Sequence, residues 1–245
     1  MSLGTFYGIG VGPGDPDLLT VKAASILGRC PHVVVPKAKM EGESVALGIA
    51  RCYVPTDASV HELVFPMTTD KAELSRHWKE SARTIATLLE TGADVCFLTL
   101  GDALVYSTYI YLLRELKAIA PDLQVVTVPG ITSFSAAAAL THFPLGEGKE
   151  PITIVPMADD LTAVRQAVET GGTVVLMKIG KRLGDILDLL EQLEVIDDAA
   201  FVQRAGQPTQ RIELDLRRLR GREAEAGYLS VILIHAGKKS ASICE

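Results

Sequence analysis

The chain has 245 residues, with 24 lysines and arginines against 30 aspartates and glutamates, and a formal net charge of −6 at pH 7. This length allows one large domain or two small ones, and a hydrophobic content of 48% is sufficient for buried cores. The acidic balance disfavours broad nucleic-acid binding, and no apolar run approaches the roughly 18 residues that a membrane span needs. We therefore expect no nucleic-acid partner and no membrane association.

The cysteines and histidines indicate neither a disulfide framework nor a metal site. Cys30, Cys52, Cys96 and Cys244 show no C-x-x-C pairing, and the five histidines lack metal-ligand spacing. The first residues do not form a basic segment followed by a long apolar core, as a secretory signal would require. We expect free thiols, no metal and a cytoplasmic location.

Strand-like and helix-like segments alternate through the first half of the chain. Asp15 followed by Pro16 predicts a helix start, and the expected apolar face consists of Leu18, Leu19, Val21, Ala24 and Leu27. Strands are predicted at 5–9, 32–35, 61–65, 95–98 and 124–128, with further helices at 44–52, 70–92 and 106–119. This alternation predicts a parallel sheet wrapped by helices.

The second half begins in the same way and then changes. Helices are predicted at 134–140, 161–168 and 183–193, and strands at 152–156, 173–177, 199–203, 212–214 and 228–234. The last three strands follow one another without helices, which predicts an antiparallel portion. We expect two α/β domains, residues 1–130 and residues 131–245.

Two glycine-containing loops follow predicted strands in the first half. They read GIGVGPGDP at 8–16 and LTLGDALVY at 98–106. Glycines at a strand end let the backbone approach a ligand closely, and four within seven residues exceed what a simple turn requires. The two loops together therefore predict a shared ligand site.

The spacing of these glycines does not match a dinucleotide site. The third position of G-x-G-x-x-G is Pro13 or Asp15, depending on the starting glycine. The second predicted strand is followed by Pro36-Lys37-Ala38-Lys39, which offers no carboxylate for a ribose, and no G-K-[ST] follows any glycine pair. An NAD or Walker-type site is therefore not expected.

Four blocks in order resemble the tetrapyrrole methylases. These are the two loops above, PGITS at 129–133 and VVLM at 174–177, and the resemblance extends from Phe6 to about Gly237. The stretches 101–112 and 128–144 resemble the members that methylate carbon 20. The resemblance implies an S-adenosylmethionine-dependent C-methyltransferase acting on cobalt-factor II in anaerobic cobalamin biosynthesis. The alternative is precorrin-2 in the aerobic pathway, or another tetrapyrrole.

The resemblance also implies a homodimer and two α/β domains of the tetrapyrrole methylase type with the cofactor cleft between them. The methyl donor would contact Pro13, Leu100, Gly101, Asp102, Val105, Thr132, Ser133, Met177, Ala205, Gly206 and Ala236. Two departures from the family pattern stand out. Ala103 replaces a usual proline, and Pro36-Lys37 stands where uroporphyrinogen methylases place an acid. The missing acid disfavours that branch.

Residue type and position in the predicted elements indicate candidates for a general base and for substrate-binding cations. Tyr106 and His142 are the candidates for a general base, although packing is the commoner role of each. The carboxylates of a tetrapyrrole need cationic partners, and Lys37, Lys39, Lys178 and Arg204 follow predicted strand ends. Two other functions stay open: methylation of a different acceptor, including RNA or diphthamide, and a non-enzymatic tetrapyrrole carrier.

Overall fold

A computed structural model of the chain describes residues 3–37, 44–65, 68, 70–156, 161–225 and 229–237. The chain divides into two compact units, Met1–Thr132 and Ser133–Glu245, where the sequence placed a boundary after residue 130. Each unit contains a five-stranded sheet with helices, which confirms the predicted α/β class. None of the described helices is long and apolar enough to cross a membrane.

The first unit is built on a parallel sheet. Its strands are β1 (Phe6–Gly10), β2 (His32–Lys37), β3 (Ser59–Val64), β4 (Val95–Thr99) and β5 (Val125–Val128). They lie in the order β3-β2-β4-β1-β5, and every neighbouring pair is parallel, as predicted. The helices are α1 (Val21–Leu27), α2 (Val45–Ala50), α3 (Lys71–Glu90) and α4 (Tyr109–Ile119).

Helices cover both faces of this sheet because side chains alternate along each strand. Ile9 and Leu98 pack with residues of α1 and α2 on one face. Phe6 and Phe97 pack with residues of α3 and α4 on the other face. The chain thus leaves the neighbouring strands β1 and β4 toward opposite faces, which is the arrangement that places ligands at the carboxyl edge of doubly wound sheets.

The first helical segment differs from its prediction. Asp15 caps a single 3-10 turn, Pro16–Leu18, and Leu19 is extended before Thr20 caps α1. The extended residue changes the helical phase, so Val21 is 87% exposed while Leu19 and Leu27 are buried. The helix predicted at 106–119 likewise begins only at Tyr109, because Tyr106 has a left-handed backbone with φ of 51°.

The second unit contains a mixed sheet. Its strands are β6 (Ile152–Pro156), β7 (Thr173–Met177), β8 (Ala199–Gln203), β9 (Arg211–Glu213) and β10 (Ser230–His235). They lie in the order β6-β7-β10-β8-β9. Among the described strands of this second sheet, only β6 and β7 pair in parallel. The predicted antiparallel portion is therefore confirmed.

The helices of the second unit also divide between two faces. They are α5 (Ser133–Thr141), α6 (Thr162–Thr170) and α7 (Leu183–Gln192). Residues of α6 and α7 pack with Leu176 and Phe201 on one face, and α5 packs with Val175 and Val202 on the other. A 3-10 segment, Leu216–Leu219, buries its two leucines in the first of these cores.

The arginines around that 3-10 segment form ion pairs on the surface. Arg217 contacts Asp197 at 2.6 Å, and Arg220 contacts Asp188 and Glu191 at 2.8 Å. These pairs join the segment to neighbouring elements of the same unit, and exposed pairs of this kind add little stability.

Candidate active site

The loops after β1 and β4 are joined backbone to backbone at the carboxyl edge of the first sheet. The Gly12 N–H donates to the Gly101 oxygen at 3.2 Å, and the Gly101 N–H donates to the Gly12 oxygen at 2.7 Å. The Val11 N–H donates to the Thr99 oxygen at 3.0 Å and continues the strand pairing into the loops. The two loops predicted to share a site therefore do lie together.

Asp102 ties a third loop, the one after β5, to this pair. Its Oδ2 accepts the Gly130 N–H at 3.0 Å, and its Oδ1 accepts the Leu104 N–H at 2.8 Å. The sequence analysis expected this residue to hold the methyl donor. The structure gives its carboxylate two backbone partners, so Asp102 positions the loops, and its contact with the donor stays a prediction.

The glycines of these loops are required by the loops themselves. A Cβ on Gly10 would lie 2.6 Å from the Gly130 nitrogen and 2.7 Å from the Gly101 oxygen. A Cβ on Gly130 would overlap the Gly101 oxygen and lie 2.7 Å from the Gly10 carbonyl atoms. Mutual packing, which the sequence analysis did not consider, therefore explains these glycines without a ligand.

Gly8 has a different neighbour, the buried Tyr109 at the start of α4. A Cβ on Gly8 would lie 2.6 Å from the Tyr109 hydroxyl oxygen, which is itself 2.6 Å from Thr127 Oγ1. Burial raises the pKa of Tyr109, and the hydrogen bond to Thr127 partly offsets this rise. Tyr109 is therefore a neutral packing residue beneath the loops.

The other predicted donor-binding residues of the first unit lie in these loops or within a few residues of them along the chain. Pro13 is buried directly after Gly12, and Val105 is half-buried. Leu100 is half-buried against the core that α1 and α2 cover. Thr132 is half-buried at the end of the unit, and Ser133 opens α5 in the second unit.

The two candidate bases share a backbone feature. Tyr106 and His142 are exposed and have left-handed backbones with φ of 51° and 53°. A residue other than glycine is rarely left-handed, and such residues cluster at functional positions. Tyr106 lies in the turn before α4 in the first unit, and His142 directly follows α5 in the second.

Two cations stand at one edge of the second sheet. β7 and β8 are both antiparallel to β10, which lies between them, so they end at the same edge. Lys178 directly follows β7 with φ of 57°, and Arg204 directly follows β8 with φ of 50°. Leu229, with φ of 59°, precedes β10 at this edge, so three of the six left-handed non-glycine residues in the described ranges lie here.

The loops after β7 and β8 repeat one pattern. Each has an exposed left-handed cation, then a buried apolar residue, Ile179 or Ala205, and then a glycine at positive φ. Met177 and Ala205 contact the same apolar cluster beneath α5. The structure therefore brings together five predicted site residues: Met177, Lys178, Arg204, Ala205 and Gly206.

Ala236 does not belong with these residues. His235 pairs with Thr173 at the start of β7, and the Ala236 N–H donates to the Gly172 oxygen at 2.8 Å. Met177 pairs with Val231 at the other end of the same ladder. Ala236 therefore lies at the opposite edge of the sheet from Met177, and its contact with the methyl donor stays a prediction.

Lys37 and Lys39 are the substrate-binding cations predicted in the first unit. Lys37 is at the carboxyl end of β2, but its Nζ lies 2.6 Å from Oε2 of Glu62 on β3 and its side chain is only 12% exposed. Lys37 therefore has a carboxylate partner within its own sheet, and its contact with a substrate carboxylate stays a prediction. Lys39 lies outside the described residues.

The loop after β8 contains a feature that the sequence analysis missed. Gln207 is half-buried, and its Nε2 is buried without a hydrogen-bond partner among the described residues. Polar residues are ordinary in loops, so nothing in the sequence distinguished this one. In the described ranges, no group of three or more His, Cys, Asp or Glu side chains could hold a metal ion.

These features define a class of protein: two α/β units whose sheet edges carry closely packed loops and a pair of cations. The family of Tetrapyrrole (Corrin/Porphyrin) Methylases matches residues 5–219. The chain belongs to this family.

Two named relatives match nearly the full length of this chain, and a solved structure has the same fold. The chain is 34% identical to the cobalt-precorrin-2 C(20)-methyltransferase of Salmonella typhimurium, over 95% of this chain and 96% of the relative. It is 28% identical to a precorrin-2 C(20)-methyltransferase of Sinorhizobium sp., over 97% of this chain and 98% of the relative. The uroporphyrin-III C-methyltransferase of Thermus thermophilus, solved with S-adenosylhomocysteine, has the same fold, with a TM-score of 0.67, 22% identity and coverage of 95% and 92%.

Proposed function

We propose that this protein transfers a methyl group from S-adenosylmethionine to carbon 20 of cobalt-factor II in anaerobic cobalamin biosynthesis. The observation that carries the proposal is the 34% identity, over nearly the full length of both chains, to an enzyme named for methylating carbon 20 of the cobalt-containing precursor. The metal-free precorrin-2 is the second candidate acceptor, because a relative named for it also spans the whole chain.

When bound, S-adenosylmethionine supplies an electrophilic methyl group together with its own leaving group. The work left to the protein is to hold the methyl group and the acceptor carbon in line and to exclude water. Rigid loops serve this purpose, since a small displacement of a reacting atom lowers the rate strongly. The three loops joined through Gly12, Gly101, Asp102 and Gly130 provide such a rigid surface.

Each unit offers residues that fit the methyl donor. In the first unit, we assign donor contacts to Pro13, Leu100, Gly101, Val105 and Thr132, with Asp102 positioning them. In the second unit, we assign them to Ser133, Met177, Ala205 and Gly206.

Lys178 and Arg204 are suited to the acidic side chains of the acceptor. They follow β7 and β8, which flank β10, so their strand ends stand about 10 Å apart at the usual strand spacing. Two exposed cations at this separation can pair with carboxylates on different parts of one macrocycle. Tyr106 and His142 stay predictions for the group that accepts the proton from carbon 20.

We also propose a cytoplasmic homodimer. The dimer rests on the family resemblance, and the location is supported by the free thiols of Cys30, Cys52 and Cys96. Sedimentation equilibrium of the purified chain tests the dimer, and a monomer at all concentrations would contradict it.

The function is tested with methyl-labelled S-adenosylmethionine under anaerobic conditions, offering cobalt-factor II and precorrin-2 in parallel. We expect label on carbon 20 of the cobalt compound, located by NMR of the product. Label on precorrin-2 alone would assign the protein to the aerobic pathway. Label at another carbon, or on neither compound, would contradict the proposed reaction.

A further inference from the structure

The edge strand β3 depends on β2 for its attachment to the first sheet. It is the last strand in the order β3-β2-β4-β1-β5, so among the described strands it pairs with β2 alone. None of its six residues is buried. A strand with so little buried surface has low local stability, so the side-chain pairs across its ladder matter for its attachment.

Two side-chain pairs join β3 to β2, one on each face of the sheet. Lys37 and Glu62 form an ion pair at 2.6 Å on one face. On the other face, Nδ1 of His32 lies 3.2 Å from Nε2 of His61, and the two ring centroids are 5.3 Å apart. The face of the histidine pair follows from the register, in which His61 lies beside Val34, because Val34 packs with residues of α3 and α4.

The hydrogen bond of the histidine pair requires that one of its two ring nitrogens be unprotonated. When one ring carries a hydrogen there and the other does not, the first donates and the second accepts. When both rings are protonated, both nitrogens are donors and both rings carry a positive charge. The second proton therefore replaces a hydrogen bond with repulsion between the two strands.

The surroundings of His61 disfavour its protonation in the folded chain. Burial lowers the pKa of His61 below its ordinary value of 6.5, and the charge of His32 lowers it further. β2, β4 and α3 contribute apolar side chains to this face, namely Val34, Val95, Ile85 and Leu89. The folded chain therefore binds a proton at His61 less readily than the unfolded chain does.

The acidic residues of the neighbouring segments have other positions or partners. Glu62 pairs with Lys37 on the opposite face, and the carboxylate of Asp94 accepts the N–H of the residue before β1 at 2.8 Å. Asp57, before β3, and Glu90, at the end of α3, are exposed. In the described ranges neither histidine of the pair forms an ion pair with a carboxylate, whereas a third histidine, that of β10, does. A doubly protonated pair would thus have no counter-ion among the described residues.

We propose that His32 and His61 form a pH-sensitive latch that holds the edge strand β3 on β2 at neutral pH and releases it in acid. Since the pKa of His61 is lowered on folding, its contribution to stability is present above about pH 6.5. That contribution is lost as the pH falls below this value through the lower folded pKa. Release of β3 also separates Glu62 from Lys37. The latch goes beyond the proposed function and requires neither methyl donor nor tetrapyrrole.

The test is amide hydrogen exchange of the purified, ligand-free chain at about pH 7.5 and about pH 5, on either side of the ordinary histidine range. Each rate is divided by the intrinsic rate at the same pH. For the natural chain we expect the protection of the β3 amides, residues 59–64, to fall about five- to tenfold at the lower pH, as for a pKa difference of about one unit. The amides of β1 and β4 should keep their protection.

His61→Gln is the variant that removes the pH dependence. Glutamine has an uncharged amide that can donate to or accept from His32 at either pH, so the fall in β3 protection should shrink to less than about twofold. His32→Gln makes the same test from the other strand, in case His61→Gln fails to fold. Glu62→Gln is the matched control, because it removes the ion pair of the same ladder. It should lower β3 protection at both pH values and leave the fall between them unchanged.

Three results would overturn the latch. The first is constant protection of β3 in the natural chain between the two pH values. The second is an equal fall in the natural chain and in both glutamine variants of the pair. The third is a fall of the same size in β1 and β4, which would mean that acid unfolds the whole unit. None of these measurements involves methyl transfer, so the proposed function is tested separately by its own assay.

Discussion

The sheet edges that carry the predicted site residues differ in residue type between the two units. In the first unit, Gly10, Gly101 and Gly130 bring three loops together backbone against backbone, with no room for a side chain at Gly10 or Gly130. In the second unit, Lys178 and Arg204 keep long charged side chains at left-handed positions where glycine would be easier to accommodate.

This difference shows two reasons why a loop keeps an unusual residue: lack of space for a side chain, and a use for the side chain. At the first edge, geometry alone requires glycine, because any Cβ at Gly130 would meet backbone atoms that cannot move aside. At Lys178 and Arg204 of the second edge, the backbone conformation favours glycine, but the chain has a cation at both positions. At Lys178 and Arg204 the strained residues are exposed cations beside other predicted site residues, which favours a role for their side chains. Backbone packing therefore determines the first edge, whereas the second edge carries two exposed cations.

The largest effect is expected from Gly130→Ala. The new Cβ would overlap the Gly101 oxygen and approach the Gly10 carbonyl, so the three loops must separate. We expect a loss of more than about 3 kcal/mol in the free energy of unfolding, measured by urea denaturation. Binding of S-adenosylhomocysteine should be lost as well.

Gly48→Ala is the matched control for this change. Gly48 lies in α2, and a Cβ there would have nothing within 4 Å. Alanine should therefore leave stability unchanged or raise it by about 0.5–1 kcal/mol. Equal effects of the two substitutions would show that the three loops do not depend on their close approach.

A smaller effect is expected from Asp102→Ala. It removes the acceptor of the Gly130 and Leu104 N–H groups, which should cost about 1–3 kcal/mol of unfolding free energy. Asp102→Asn should lose less, because its remaining oxygen can still accept from one of them. Calorimetric titration should show weaker donor binding in both variants, in step with their stability.

Asp15→Ala is the reference for Asp102. Asp15 accepts one N–H, that of Asp17 at 2.9 Å, within its own turn. Its loss should therefore cost about 1 kcal/mol or less. If Asp102→Ala abolished donor binding at unchanged stability, the carboxylate would contact the donor directly, and its role in positioning the loops would be wrong.

The fold was predictable from the sequence because hydrophobic periodicity and helix caps are local signals. Both sheets, and the antiparallel strands at the end, follow from the alternation of segments. The helix start at 15–27 was predicted less well. Leu19 is extended in the structure, and no local pattern distinguishes an extended leucine from a helical one.

The sequence motifs that form the candidate site could be recognised from the sequence, but the contacts among their residues could not be predicted. The pairing of Lys37 with Glu62 depends on the register of β2 against β3, which residue spacing does not determine. The place of Ala236 depends on the direction of β10, and that direction reverses the edge at which the residue lies. The unsatisfied amide of Gln207 depends on burial in three dimensions. Each of these requires knowledge of contacts between distant segments.

The smallest effect on stability, and the most direct test of the second edge, is expected from Lys178→Gly and Arg204→Gly. Glycine relieves the left-handed backbone but loosens the unfolded chain, so Lys178→Gly should gain about 0.5–1 kcal/mol. Arg204→Gly should gain less, because it also removes the hydrogen bond from Arg204 Nη1 to Thr209 Oγ1. The KM for the tetrapyrrole should nevertheless rise about tenfold, as expected for the loss of one charge-assisted contact. Glu194→Gly, at an exposed residue with φ of 58°, is the control and should gain stability without changing KM. If all three variants had the same KM as the natural chain, the two cations would be kept for a reason other than substrate binding.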